Sequence, residues 1–149
     1  MGGIVKILVI NGPNLNLLGT RKPEVYGGRS LEEINKYIED YFKSTKISFF
    51  QSNHEGAIID TIQHAPQKYE GVVINAGAFT HYSYAIRDAI EAISIPVVEV
   101  HLSNIANRED FRKTSVIAPV CFGSISGFGR YSYVLAIRAL VHKMHKKEV

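Results

Sequence analysis

The sequence has little that would cross-link or anchor it. Its single cysteine, Cys121, cannot close an internal disulfide. No charged leader followed by an apolar stretch and a small-residue cleavage site opens the chain, so a reducing, cytoplasmic setting is expected. No apolar run approaches the ~20 residues needed to cross a bilayer, so no membrane span is expected. No repeat or low-complexity linker interrupts the chain, and the net charge is only +3. Basic residues cluster only at the carboxyl end, as His142, Lys143, His145, Lys146 and Lys147. Cations there complement the helix dipole, so the cluster reads as a solvated helix end rather than a nucleic-acid footprint. His142 and His145 have no further Cys, His or acidic ligand nearby in sequence, and no metal is expected. What remains is 149 residues of 46% apolar composition, expected to form one domain over 1–149 with a core of its own.

Short β-branched runs alternate with longer periodic segments, the pattern of βαβ units and a parallel sheet. Ile4 to Ile10 reads as a buried first strand. Ser30 with Glu33 three residues on forms a capping box for a helix whose buried stripe is Leu31, Ile34, Ile38, Tyr41 and Phe42. Ile47 to Gln51 is a second strand, and the helix from about Glu55 must end near Pro66, which supplies no donor. Strands at Val72 to Asn75, Val97 to His101 and near Ala118 to Phe122 follow, with helices over roughly Ser83 to Ala92 and Tyr131 to Lys143. These elements fit an α/β, flavodoxin-like, doubly wound five-stranded parallel sheet of order 2-1-3-4-5. Such sheets bind ligands beyond the carboxyl ends of their strands, so the residues just after each strand carry the functional information.

Those residues are strongly polar. Asn11-Gly-Pro-Asn14-Leu-Asn16 follows the first strand, then Gly19-Thr-Arg21 and Tyr26-Gly-Gly28 in one long loop. Asn75-Ala-Gly-Ala-Phe-Thr-His81 follows the third. The fourth ends in Glu99-Val-His101-Leu102-Ser103-Asn104, with Arg108 and Arg112 beyond. Amides, hydroxyls, histidines and arginines suit a small polyhydroxylated anion, the arginines pointing to a carboxylate. A flavin phosphate loop would want a Ser/Thr-rich turn after the first strand, and a phospho-acceptor receiver would want acidic strand ends; neither is present. Gly127-Phe-Gly129-Arg-Tyr-Ser132 lacks the third glycine of a dinucleotide fingerprint and lies at the wrong end of the chain, so no nicotinamide cofactor is expected.

At these residues the chain resembles the type II dehydroquinases. Gly12-Pro-Asn14-Leu-Asn-Leu-Leu-Gly19-Thr-Arg21-Lys-Pro with Tyr26-Gly-Gly28 looks like the family's opening signature. Gln51-Ser-Asn-His54-Glu-Gly56, Asn75 to His81, and Glu99 to Asn104 with Arg108 and Arg112 appear in the family's order and spacing. The resemblance covers essentially the whole chain. It implies a cofactor-free lyase that converts 3-dehydroquinate to 3-dehydroshikimate, in the shikimate pathway or in quinate breakdown. It also implies a flavodoxin-like subunit assembled as a homododecamer of trimers.

Dehydrating a β-hydroxy ketone requires removing a proton beside the carbonyl, holding the enolate and protonating the leaving hydroxyl. The resemblance implies Tyr26 as the base. A free phenol, with pKa ~10, is ionised in only about one molecule in a thousand at pH 7, and the permanent cation of Arg21, in the same loop, favours the phenolate. His101 is implied as the acid, with Glu99 on the same strand face orienting or charging it, and Asn14 as the group that holds the enolate oxygen through a water. Asn75, His81, Leu102, Ser103 and Arg112 map onto substrate-binding positions: His81 and Arg112 as donors, Ser103 and the Leu102 amide toward the carboxylate. Asp88, on a helix, corresponds to an aspartate that reaches a neighbouring subunit's site. From composition alone, Tyr26 reads equally as a half-buried loop anchor, Arg21 as a solvated charge, His101 as a satisfied strand-end histidine and Asp88 as an exposed helical acid. His54, Glu55 and His64 have no assigned role, and Cys121 is expected to be buried and inert.

Overall fold

The computed structural model describes residues 3–20, 24 and 28–146. Its strands are β1 (Val5–Asn11), β2 (Thr45–Gln51), β3 (Gly71–Asn75), β4 (Val97–His101) and β5 (Gly123–Ser126); its longer helices are α1 (Leu31–Asp40), α2 (Glu55–His64), α3 (Tyr84–Ala92) and α4 (Tyr131–Lys146). The strands form one sheet in the order β2-β1-β3-β4-β5 with every neighbouring pair parallel, the flavodoxin-like order expected from the sequence. Among the described residues no helix is long and apolar enough to cross a membrane.

Because strand side chains alternate between faces, the apolar strands feed two cores. On one face Ile7, Val9, Val73, Val98 and Val100 pack with α1 and with Tyr133, Ile137 and Leu140 of α4. On the other, Leu8, Ile10, Val72, Ile74 and Val97 pack with Ile58 and Ile62 of α2 and with Ile86 and Ile90 of α3. A fully buried isoleucine such as Ile74 is worth about 2–5 kcal/mol against alanine. Covered on both faces, β3 and β4 are buried along their whole lengths, whereas β2 and β5 at the sheet edges are only partly so. The polar residues that end β3 and β4 are therefore drawn into the interior: Asn75 is 4% exposed, Glu99 0% and His101 6%.

Local chemistry sets the element ends. The Ser30 hydroxyl accepts from the Glu33 amide at 3.1 Å while the Glu33 carboxylate accepts from the Ser30 amide at 2.9 Å, the capping box read from the sequence, a cap worth about 1 kcal/mol. That reciprocal contact also holds the Glu33 carboxyl below its ordinary range. α2 ends at His64, and Pro66 falls in the turn that follows. Ser83 caps α3, and its hydroxyl donates to the Glu55 carboxylate, so the first turns of α2 and α3 are tied together and Glu55 has a structural use.

Three expectations are corrected. The segment expected as the fifth strand, Ala118 to Phe122, opens with a 3-10 turn over Ala118–Val120; Pro119 has no N–H for a strand ladder, and pairing with β4 begins only at Gly123. Tyr41, counted in the buried stripe of α1, is exposed; it lies past the last turn, with its ring against those of Tyr37 and Tyr131. Cys121 is half-buried against the α2/α3 core rather than enclosed, and burial still pushes its thiol up to about 12, far from a reactive thiolate.

Candidate active site

A cavity of about 100 Å³ opens at the carboxyl edge of the sheet, lined by Asn14, Asn75, His81, His101, Leu102, Ser103, Arg108 and Arg112. It adjoins a larger hollow of about 720 Å³ that shares Leu102, Ser103 and Arg108. The two histidines, His81 and His101, converge on the smaller one. Apart from Glu99, which lies behind His101, the site residues expected at the strand ends thus meet in one place, with Arg108 beside them. Tyr26 and Arg21 lie outside the described residues. Asp88 is exposed on α3 and does not line the cavity.

His101, the last residue of β4, has Nε2 2.5 Å from Oε2 of Glu99, two residues back on the same face. The other Glu99 oxygen accepts from the Ser115 hydroxyl at 3.0 Å, and Ser115 Oγ in turn accepts from the Ala118 amide at 3.0 Å. A fully buried carboxylate without partners would be very costly, so this chain is what permits Glu99 to sit there. With Nε2 committed to Glu99, Nδ1 is the ring nitrogen left to act on a ligand.

The backbone carrying His101 and Leu102 is held from outside by the glycine loop before α4. Gly127 donates its N–H to His101 O at 3.3 Å, and Gly129 donates to Leu102 O at 2.9 Å. Both glycines have positive φ, 98° and 60°. The stretch that faintly suggested a dinucleotide motif thus spends its N–H groups on the protein's own carbonyls.

His81 lies over His101, ring centroids 6.3 Å apart and planes 19° apart. Its Nδ1 is 2.7 Å from Thr114 O. A carbonyl only accepts, so Nδ1 carries the hydrogen. Burial first, then the neighbouring His101 and Arg112, hold the His81 pKa below its ordinary value against the opposing pull of the Thr114 carbonyl, so the ring is neutral at pH 7. Neutral His81 offers a ligand the lone pair of Nε2: an acceptor where the sequence suggested a donor.

The loop after β1 reaches the cavity through close backbone approach. A Cβ on Gly12 would stand 2.6 Å from Ala76 O, so only glycine fits beside the β3 end. Asn14 follows with φ 71°, the sole described non-glycine residue in the left-handed region. Its amide donates to Asn53 Oδ1 at 2.9 Å, and Gln51 Nε2 donates to Asn53 Oδ1 at 3.2 Å and to Gly12 O at 3.1 Å. The Gln51-Ser-Asn53 motif is therefore a brace for the Asn14 turn. The outer wall is cationic: Arg108 Nη1 donates to Ser103 Oγ at 3.1 Å, and Arg112 Nε donates to Glu109 Oε1 at 3.0 Å.

Sequence reasoning passed over Ser115, Asn11 and Tyr133. Tyr133 OH donates to Asn11 Oδ1 at 2.5 Å and accepts from Asn75 Nδ2 at 3.0 Å. The only sequence signal for that pair was polarity in otherwise apolar runs.

Known proteins match this chain along its length. The family described as dehydroquinase class II matches residues 5–141. A 3-dehydroquinate dehydratase of Clostridium botulinum is 55% identical over 144 residues, 95% of this chain and 98% of that one. The crystal structure of a type II dehydroquinase from Butyrivibrio crossotus superposes with a TM-score of 0.91 at 52% identity, covering 94% of this chain and 99% of that one. One from Propionibacterium acnes superposes with a TM-score of 0.89 at 36% identity, covering 95% and 99%.

Proposed function

The chain belongs to the class II dehydroquinase family, and on that premise we propose that it dehydrates 3-dehydroquinate to 3-dehydroshikimate by anti elimination through an enolate, without a cofactor. The observation that carries the chemistry is the buried Glu99–His101 pair at the cavity wall. Glu99 accepts Nε2–H and fixes the ring, and the proton passed to the departing hydroxyl leaves from Nδ1. Tyr26 is the proposed base, with Arg21 favouring its phenolate. Asn14 holds the enolate oxygen through a water, and its strained, braced turn suits a group that must not move as charge develops. Arg112, Ser103 and the Leu102 amide bind the carboxylate, and Asn75 and His81 bind hydroxyl groups. The carbonyl stays free throughout, a reading supported by the cavity lining, in which no lysine that could form a Schiff base occurs among the described residues.

Asp88 is proposed to serve a neighbouring subunit's site, which fits its exposure on α3 and a homododecamer of trimers. The proposed setting is the cytoplasm, in aromatic biosynthesis by the shikimate pathway or in quinate breakdown. The deciding experiment mixes the protein with 3-dehydroquinate and follows ultraviolet absorbance of the conjugated enone. Tyr26→Phe should lower turnover by at least ~100-fold with little change in ligand affinity. Absence of enone formation by the unaltered protein, substrate-dependent borohydride trapping on a lysine, or syn loss of a deuterium label would each overturn the reading.

A further inference from the structure

We propose that Tyr133, on α4 and outside the cavity, is a positioning residue that makes Asn75 a hydrogen-bond donor to the ligand. An asparagine amide can present either its carbonyl or its NH2 group, and only its partners decide which. Here the decision starts from a group with one possible role. The Gly77 backbone N–H can only donate, and it lies 3.2 Å from Asn75 Oδ1, so that oxygen faces the turn after β3. Nδ2 must then face Tyr133 at 3.0 Å, and the phenolic oxygen must accept from it. A phenol has one hydrogen. It goes to Asn11 Oδ1, 2.5 Å away.

Asn11 and Asn75 are register partners on adjacent parallel strands, so their side chains leave the sheet on the same face, and Tyr133 reaches both from α4. It is 0% exposed and packs among Val9, Val73, Val98 and Val100, where no water competes for these bonds. Burial also raises the phenol well above its ordinary range, so the hydroxyl keeps the hydrogen the arrangement needs. The chain of roles from Gly77 to Asn11 has a single consistent solution. It leaves Asn75 one N–H without a partner among the described residues, on a residue that lines the cavity. Asn75 therefore reads an acceptor oxygen on the ligand, and its orientation is set from behind by the Gly77 N–H and by Tyr133 together, the hydroxyl holding the amide group in place.

This inference rests on the proposed dehydration for its assay and on hydrogen-bond geometry for its logic. Tyr133→Phe should raise KM for 3-dehydroquinate about tenfold with a smaller change in kcat, and Asn75→Ala should do at least as much. In the Asn75→Ala background, Tyr133→Phe should add less than about twofold, because its route to the ligand is gone. Factors that multiply in the double variant would mean a general structural role and overturn the proposal, as would an unchanged KM in Tyr133→Phe. Should Tyr133→Phe fail to fold, the unaltered protein still decides. In nitrogen-15 spectra, addition of 3-dehydroshikimate should shift one of the two Asn75 side-chain amide protons and leave the Tyr133-bonded one in place. Movement of both, or of neither, overturns the assignment. Failure of the unaltered protein to form enone would remove the dehydration reading; binding spectra with 3-dehydroquinate would then test the Asn75 orientation by the same two outcomes.

Discussion

The cavity has an inner wall made by the ends of β3 and β4 and an outer wall made by the turns that carry Ser103, Arg108 and Arg112, and the two are held by different forces. On the inner wall Asn75, Glu99 and His101 are buried, each fixed by neutral or charged partners that are themselves buried or half-buried. On the outer wall the arginines pair with Glu109, an exposed carboxylate held below its ordinary range by its own backbone amide and then by Arg112 and Arg108. Buried hydrogen bonds in a low-dielectric interior set geometry and protonation but cost stability when broken, whereas exposed ion pairs contribute little to stability and respond to salt. The inner wall should therefore govern folding together with the chemical step, at His101, and the orientation of the ligand, at Asn75. The outer wall should govern affinity alone.

The largest test of that division is His101→Ala. Loss of the proposed acid should reduce kcat at least ~100-fold, and Glu99, left buried with one partner fewer, should cost about 3 kcal/mol in denaturant unfolding. Full stability with lost turnover would show that the pair is not held as the geometry indicates. Arg112→Ala is the outer counterpart. It should raise KM roughly 10- to 100-fold with kcat and stability nearly unchanged, an effect that shrinks as salt is added because the lost attraction is then screened. A fall in kcat equal to the rise in KM would place Arg112 with the inner wall.

His81 lies between the two walls and gives a pH test. Its folded pKa is below the unfolded value of ~6.5 because burial disfavours the charged ring. Above ~6.5 the ring is neutral in both states and the contribution is flat. As pH falls from there through the lower folded pKa, the unfolded chain takes up the proton first, so stability declines over that window. Ligand affinity should weaken at the lower end of the same window, as Nε2 stops being an acceptor. A histidine titration by proton NMR with a midpoint at or above ~6.5 would contradict this.

Much of the site was legible in the sequence because a parallel sheet gathers the carboxyl ends of its strands on one edge, and Asn14, Asn75, Glu99 and His101 each follow or close an apolar run. What was not legible is what holds them. Tyr133 meets Asn11 across 122 residues and Asn75 across 58, and Ser115 meets Glu99 across 16, separations at which no local pattern reports a contact. The direction of the His81 hydrogen bond depends on where Thr114 O lies, which spacing does not reveal. The start of β5 was misread because Pro119 sits in an apolar run whose composition suits a strand while its missing N–H forbids pairing.

The smallest expected effect sharpens the comparison most, because it asks whether the outer wall contains anything that stability depends on. Glu109 is exposed and its carboxylate accepts from Arg112 Nε at 3.0 Å while lying 3.7 Å from Arg108 Nε. Glu109→Gln removes the charge but keeps the shape. An exposed pair typically contributes no more than ~1 kcal/mol, much of it offset by the order it imposes on two long side chains, so the melting temperature should move by no more than a degree or two. The arginines, however, would lose a competitor for a ligand carboxylate. KM should therefore fall by about twofold at low salt, and the difference should vanish by ~0.5 M salt, where the Debye length is only a few ångströms. A rise in KM would mean that Glu109 holds the guanidinium groups in their binding geometry, and a large loss of stability would mean that the outer wall, like the inner one, is part of the fold's support.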